Sequence, residues 1–305
     1  VNLITSKSVN MRCVLQQEGF FIFIQEQVRS LWALVQMIKR IFQARIYMRG
    51  LQRRLNALSK VNVLAFTMFP LVDQESLKEN KFVNRAYGLI DKTFKNAANI
   101  KVAWIAMFTK IEHYNWKESL KLGDQLNQHG EAILFYEEFI GFKAFTKIVI
   151  NSLSTTLKTI FRIKDFSSLF VYKFDTASIP LWRLFKRDFY RSFAGKELLV
   201  ELGMYFAFDE IMKKLPAHIR IYHFAELHGW ENSLNMVRRK HASLVTIGLQ
   251  HTIMPLLLLN YFRDPRDFGQ DDLNGFPQPT YLGTTGEITR SLLKQNGWNS
   301  NKLFI

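Results

Sequence analysis

The chain has 305 residues, 48% apolar and 14% aromatic, which is enough to bury one large core, or one domain and part of a second, and too apolar for global disorder. Its 41 Lys and Arg against 26 Asp and Glu leave a net charge of +15, which favours an anionic partner (nucleic acid, anionic lipid or a phosphate-bearing substrate) without choosing among them. The single cysteine, Cys13, excludes internal disulfides and a thiolate metal cluster, and no apolar run reaches the length of a transmembrane helix.

Residues 1–19 carry no pattern and do not read as a signal peptide. From Phe20 to Lys60 the spacing is helical: Leu31, Leu34, Val35, Ile38, Ile41 and Phe42 share one apolar face. Between Ile38 and Lys60 the chain holds seven basic residues and no acidic one. Two readings are open, a basic amphipathic helix on an anionic membrane and a connector helix with a solvated basic face.

An α/β alternation follows. Strands are predicted at Val61–Phe69, Lys101–Phe108 and Ala132–Phe139, and helices at Asn80–Asn96 and Trp116–Gln128. Strands separated by helices imply a parallel sheet with right-handed crossovers. Gly141 to Pro216 reads as mostly helical, broken at Pro180 and Gly195. The 27 Phe point to thick helix–sheet packing and to contact with an apolar surface.

The stretch Ile219–Arg266 carries the chemistry. Strand-like runs at Ile219–Glu226 and Ser243–Gln250 flank a helix from Trp230 to His241. In an open α/β sheet, ligands bind outside the carboxyl ends of the strands, so Glu226, Glu231 and His251 are expected to converge on one crevice. An imidazole there can act as general base or hold a phosphate. Glu226 and Glu231 can orient it or take a sugar hydroxyl, although Glu231 alone reads better as a first-turn helix acid. Trp230 is open to two roles, a sugar-stacking platform or a buried anchor.

The loop Asp264–Pro279 precedes a new strand–helix–strand, Tyr281–Thr284, Glu287–Asn296 and Lys302–Ile305. The start at Val1 and the stop inside an apparent strand lead us to expect a piece of a longer protein. There is no glycine-rich dinucleotide fingerprint, no GK[ST] loop, no HExxH and no nucleophile elbow. His223, His228 and His251 match no common metal spacing, and Asp271-Asp272 reads as a solvated turn, so no metal and no cofactor are expected. Nucleic acid is disfavoured because no binding module is recognisable and the aromatics sit in apolar runs rather than among the basic groups.

Several runs resemble a bacterial surface carbohydrate biosynthesis family. They are Glu226-x-x-Gly229-Trp230-Glu231, Arg239-Lys240-His241, Ile247-Gly248-x-Gln250-His251-Thr252 and Leu259-Asn260-Tyr261-Phe262-Arg263-Asp264-Pro265-Arg266. They are similar to that family's ENQxWE, KHG, IGxxHST and LRYFxDPR. Upstream, Lys186 to Gly195, with Asp188 and Ser192, resembles KxDWxxSxxG, and Phe208-Asp209 to Leu215-Pro216 resembles LFDxxxxxLP. The departures are Leu227-His228 for an Asn-Gln pair, Phe189 for Trp, and Thr280-Tyr281 for Pro-Asp.

The resemblance implies a GT-B-type glycosyltransferase of capsule or O-antigen assembly, working in the cytoplasm, peripherally at the inner membrane. Its expected architecture is α/β. Residues 1–60 would be a basic amphipathic helical segment. Residues 61–276 would be a Rossmann-like parallel-sheet domain with a helical insertion at about 141–216. Residues 277–305 would open an incomplete donor-binding domain, which could leave this chain inactive alone. The implied partners are a nucleotide sugar as donor substrate, a glycan or lipid-linked acceptor, and an anionic membrane surface. His251, Glu226 and Glu231 would be catalytic, and Gln250, Thr252, Trp230, His228, Asp188 and Ser192 would contact substrate. A non-catalytic glycan-binding or assembly factor is the alternative.

Overall fold

The computed structural model describes residues 2–97, 100–111, 114–174, 177–226, 228–251 and 275–305. In chain order the elements are α1 (Asn2–Tyr47), α2 (Leu51–Leu58), β1 (Val63–Phe69), α3 (Gln74–Lys78), α4 (Leu89–Asn96), β2 (Val102–Phe108), α5 (Trp116–Gln128) and β3 (Ile133–Phe135). A 3₁₀ turn at Tyr136–Phe139 follows, then α6 (Phe142–Phe161), α7 (Ile163–Leu169), β4 (Val171–Phe174), β5 (Ala177–Pro180), α8 (Trp182–Ala194) and α9 (Lys196–Met212). The last elements are β6 (Arg220–Phe224), α10 (Gly229–Lys240), β7 (Val245–Leu249), β8 (Tyr281–Gly283), α11 (Glu287–Gln295) and β9 (Leu303–Phe304).

The chain divides into two compact units. One comprises residues 1–39 and 142–203, the other residues 40–141 and 204–305. The second holds a seven-stranded sheet in the order β3-β2-β1-β6-β7-β8-β9, and every pairing in it is parallel. Numbered by their own sequence order these strands run 3-2-1-4-5-6-7, so the order reverses between β1 and β6. This is a doubly wound, Rossmann-like α/β sheet with its switch point there.

The strands follow from their residue types. β1 reads Val-Leu-Ala-Phe-Thr-Met-Phe and all but Met68 are buried, as a parallel strand covered on both faces requires. Its aromatic neighbours interlock: Phe69 meets Phe135 edge-on at 5.4 Å, and Phe82 meets Trp104 at 5.0 Å. α5 begins in a capping box in which the Asn115 side chain accepts the Glu118 N–H and the Glu118 side chain accepts the Asn115 N–H.

Two expectations need correction. The strand–helix–strand from Tyr281 does not open a separate domain, because β8 pairs with β7 and β9 with β8, extending the one sheet. The helical segment expected over residues 20–60 is two helices. α1 ends at Tyr47, and Gly50, at φ 73°, takes the left-handed turn that α2 follows. The apolar face read there is split in use, since Ile41 is buried whereas Leu31, Val35, Ile38 and Phe42 are exposed.

The other unit is helical, with one antiparallel hairpin, β4–β5. α8 packs through Phe189, which meets Phe166 at 5.3 Å and Trp182 at 5.1 Å. In the same unit the Gln27 amide donates to the Ala194 carbonyl, and Arg29 pairs with the buried Glu26.

Candidate functional site

The carboxyl tips of β6, β7 and β8 form one laced edge. The ladder continues past the strands, with Ala225 N donating to Leu249 O at 2.9 Å and Gln250 N to Gly283 O at 2.9 Å. Glu226 and His251 are the next residues out. The Glu226 carboxylate accepts the His251 N–H at 2.9 Å, and the Glu231 carboxylate accepts the Glu226 N–H at 3.1 Å. All three residues read from the sequence as catalytic therefore meet at this edge. Both carboxylates bond main chain here, which orients the turn carrying His251.

The His251 side chain is exposed, and its ring meets Phe224 edge-on at 5.4 Å. Phe224 in turn touches Tyr87 at 4.4 Å. His228 is the N-cap residue of α10, exposed, and makes no side-chain capping bond. In the first turn of α10 the Glu231 N–H bonds His228 O at 3.1 Å.

Gln250 is buried, and its Oε1 accepts the Thr285 N–H at 3.2 Å. It ties the β7 tip to the turn after β8. Trp230 is buried and lies over Phe66 with centroids 6.3 Å apart and planes 15° apart. That packing excludes the sugar-platform role, because the ring is spent on the core. Asp188 and Ser192 lie exposed on α8, in the helical unit. Thr252 and the run Leu259–Arg266 lie outside the described residues.

Behind the edge, His223 is buried on β6, and burial lowers its pKa to about 4, so the ring is neutral at physiological pH. A cavity of about 10 Å³ separates it from Glu231, Asn232 and Trp298, the space of a single water and far too little for a sugar. Among the described residues no three His, Cys, Asp or Glu side chains gather as a metal set.

Sequence reasoning missed the network beneath the loop after β1. Asn84 donates its side-chain amide to Thr67 Oγ1, its own N–H goes to Asp91 Oδ2 at 2.7 Å, and its Oδ1 accepts the Ala86 and Tyr87 amides. The Tyr87 hydroxyl donates to Phe66 O at 2.9 Å. These bonds fix Tyr87 against Phe224 beside the switch point. The one sequence signal was a cluster of Asn, Tyr and Asp after an apolar strand, and only the strand order gives that cluster its place.

Also missed was Glu137-Glu138, directly after β3. Glu138 pairs with the buried Arg54 and accepts the Phe135 N–H at 2.8 Å, while Arg40 lies 4.0 Å from Glu137. Arg45 donates to Ile140 O at 3.0 Å. Of the seven basic residues read as a membrane-facing set, Arg54 is therefore buried in the sheet unit, while Arg40 and Arg45 make their contacts from half-buried and exposed positions. The resemblance motifs around Asp209 and His241 also meet, with His241 Nε2 3.1 Å from Asp209 Oδ1 at the opposite end of α10 from the strand tips.

No protein-family model matches the chain, and no curated protein or solved structure matches it.

Proposed function

We propose that the sheet unit is the catalytic half of a GT-B-type glycosyltransferase, moving a sugar from a nucleotide donor to a surface polysaccharide or a lipid-linked acceptor. The observation that carries this reading is the exposed His251 at a parallel-strand tip, held by Glu226 beside the switch point. His251 would serve as general base toward the acceptor hydroxyl or as a ligand of the donor phosphate. His228, at the N-terminus of α10, would favour the diphosphate. Glu226 and Glu231 would act through the turn they hold. The donor is a substrate, and no further cofactor or metal enters the reaction. The resemblance described above is the second support.

The test is incubation of the purified protein with a panel of nucleotide sugars and glycan or lipid-linked acceptors, following nucleotide release. His251→Ala should lower transfer by about 10²–10⁴-fold at unchanged melting temperature, the usual contribution of a general base. Near-normal transfer by the variant would remove His251 from the chemistry.

One observation favours the alternative, a glycan-binding assembly factor: the Glu226 carboxylate bonds the His251 N–H and the Glu231 carboxylate the Glu226 N–H, which is a structural use of both acids. That reading expects glycan binding with no nucleotide release under any donor.

A further inference from the structure

Two helices of the first unit are folded inside out. α6 buries Ala144, Ile148, Ser152, Thr156 and Thr159, mostly small and polar side chains. Its large apolar residues point the other way: Phe142 and Phe161 are 87% and 84% exposed, and Ile150, Leu153 and Leu157 are each more than half exposed. At the helical angle per residue these five share an arc of about 100°. Lys143, Lys147, Lys158 and Arg162 are exposed on the adjoining arc. α1 repeats the inversion, burying Glu26 beside Arg29 while Phe21, Ile24, Val28, Leu31 and Trp32 are exposed. An ordinary surface helix does the reverse.

Charge decides what covers these faces. Residues 142–164 hold five Lys and Arg and no Asp or Glu, and of these Arg162 is paired with Asp165 at 3.3 Å. On α8, Leu184 and Phe185 are exposed between the exposed Arg183 and Arg187. A two-fold contact with a second copy would set the α6 cations against themselves, since such an interface joins a patch to its own copy. Anionic headgroups complement the same cations while the acyl boundary takes the apolar arc. No helix among the described residues is long and apolar enough to cross a membrane, so the geometry is that of a helix lying in the surface plane.

We propose that this helical unit docks on an anionic lipid surface through the exposed apolar faces of α6 and α1, with Lys143, Lys147 and Lys158 of α6 on the headgroups. The inference is independent of the sugar-transfer reading and would stand if that reading failed. It also moves the membrane contact away from residues 38–60, whose arginines are partly spent inside the sheet unit.

The experiment is vesicle co-sedimentation of the full chain with phosphatidylcholine alone and with phosphatidylcholine containing phosphatidylglycerol. The protein should partition onto the anionic vesicles, more weakly onto the neutral ones, and less at high salt. Leu153→Glu with Leu157→Glu should weaken partitioning by roughly tenfold or more for each residue, at unchanged melting temperature because both side chains are exposed. Lys143→Gln with Lys147→Gln should weaken it by roughly fivefold for each charge, and only on anionic vesicles. Wild-type protein left in the supernatant with anionic vesicles overturns the proposal whatever the variants do. So does a leucine variant that binds like wild type, or a wild-type dimer that the leucine variant converts to monomer without changing vesicle binding.

Discussion

Glu226 sits in the middle of a relay: its N–H is held by the Glu231 carboxylate and its own carboxylate holds the His251 N–H. The position of the imidazole thus depends on a bond that does not touch it. A hydrogen bond to an ionised group contributes about 1.5–3 kcal/mol when well enclosed and less when half-exposed, as Glu226 is. Glu226→Ala should therefore speed amide exchange at His251 by about tenfold, and Glu226→Gln should restore most of the protection because it keeps the acceptor oxygen. Equal exchange in all three proteins would show that the turn is held by other contacts. Which residues gather at this edge was legible in the sequence, since polar and ionisable residues ended two apolar runs joined by a helix. Their roles were not legible. Whether a carboxylate bonds a ring or a main-chain amide depends on distances of a few tenths of an ångström. Trp230 shows the same limit, because its neighbour Phe66 comes from a strand more than 160 positions earlier.

At the scale of elements, β7 is set by a glycine one residue from its carboxyl end. A Cβ on Gly248 would lie 3.1 Å from Pro279 Cγ, 3.2 Å from Ala225 Cβ and 3.3 Å from Leu282 Cδ1. Each neighbour is short or fixed, so none can give way easily. Gly248→Val should destabilise the chain by roughly 1–3 kcal/mol, the usual cost of overpacking, although valine favours strands. Urea denaturation checks this, and an unchanged or higher midpoint would mean that the sheet yields at this point. The strands themselves were legible as apolar runs bounded by polar turns. Their lengths were less so: β3 was read to Phe139 but stops at Phe135, where the Glu138 carboxylate takes the Phe135 N–H and bends the chain into a 3₁₀ turn. The strand order was not legible at all, because β-α-β units fix the handedness of each crossover and not the edge to which the next strand adds.

For the whole molecule, the expected border after residue 276 failed for a related reason. A polar, proline-rich loop followed by a fresh strand looks the same whether the strand starts a domain or widens a sheet. The positive charge was legible as a total and as a run between Ile38 and Lys60, but not in what each side chain meets. It sits partly on the exposed flanks of α6 and partly in the sheet unit, where Arg54 is buried against Glu138 and the half-buried Arg40 faces Glu137. That last contact predicts how the fold responds to pH. Burial pushes the Glu137 carboxyl up from 4.5 to about 7, against the opposing pull of Arg40. Between those values the folded chain keeps a proton that the unfolded chain has released, so this group's contribution to stability is full below pH 4.5 and is lost as pH rises to 7. Glu137→Gln is permanently neutral and should lose that slope. Relative to wild type it should gain stability steadily across this window, by on the order of 3 kcal/mol at the alkaline end, and then level off. Thermal unfolding of both proteins at half-unit steps of pH reads the difference directly. Parallel curves would mean that Glu137 is ionised throughout, with Arg40 compensating its burial in full.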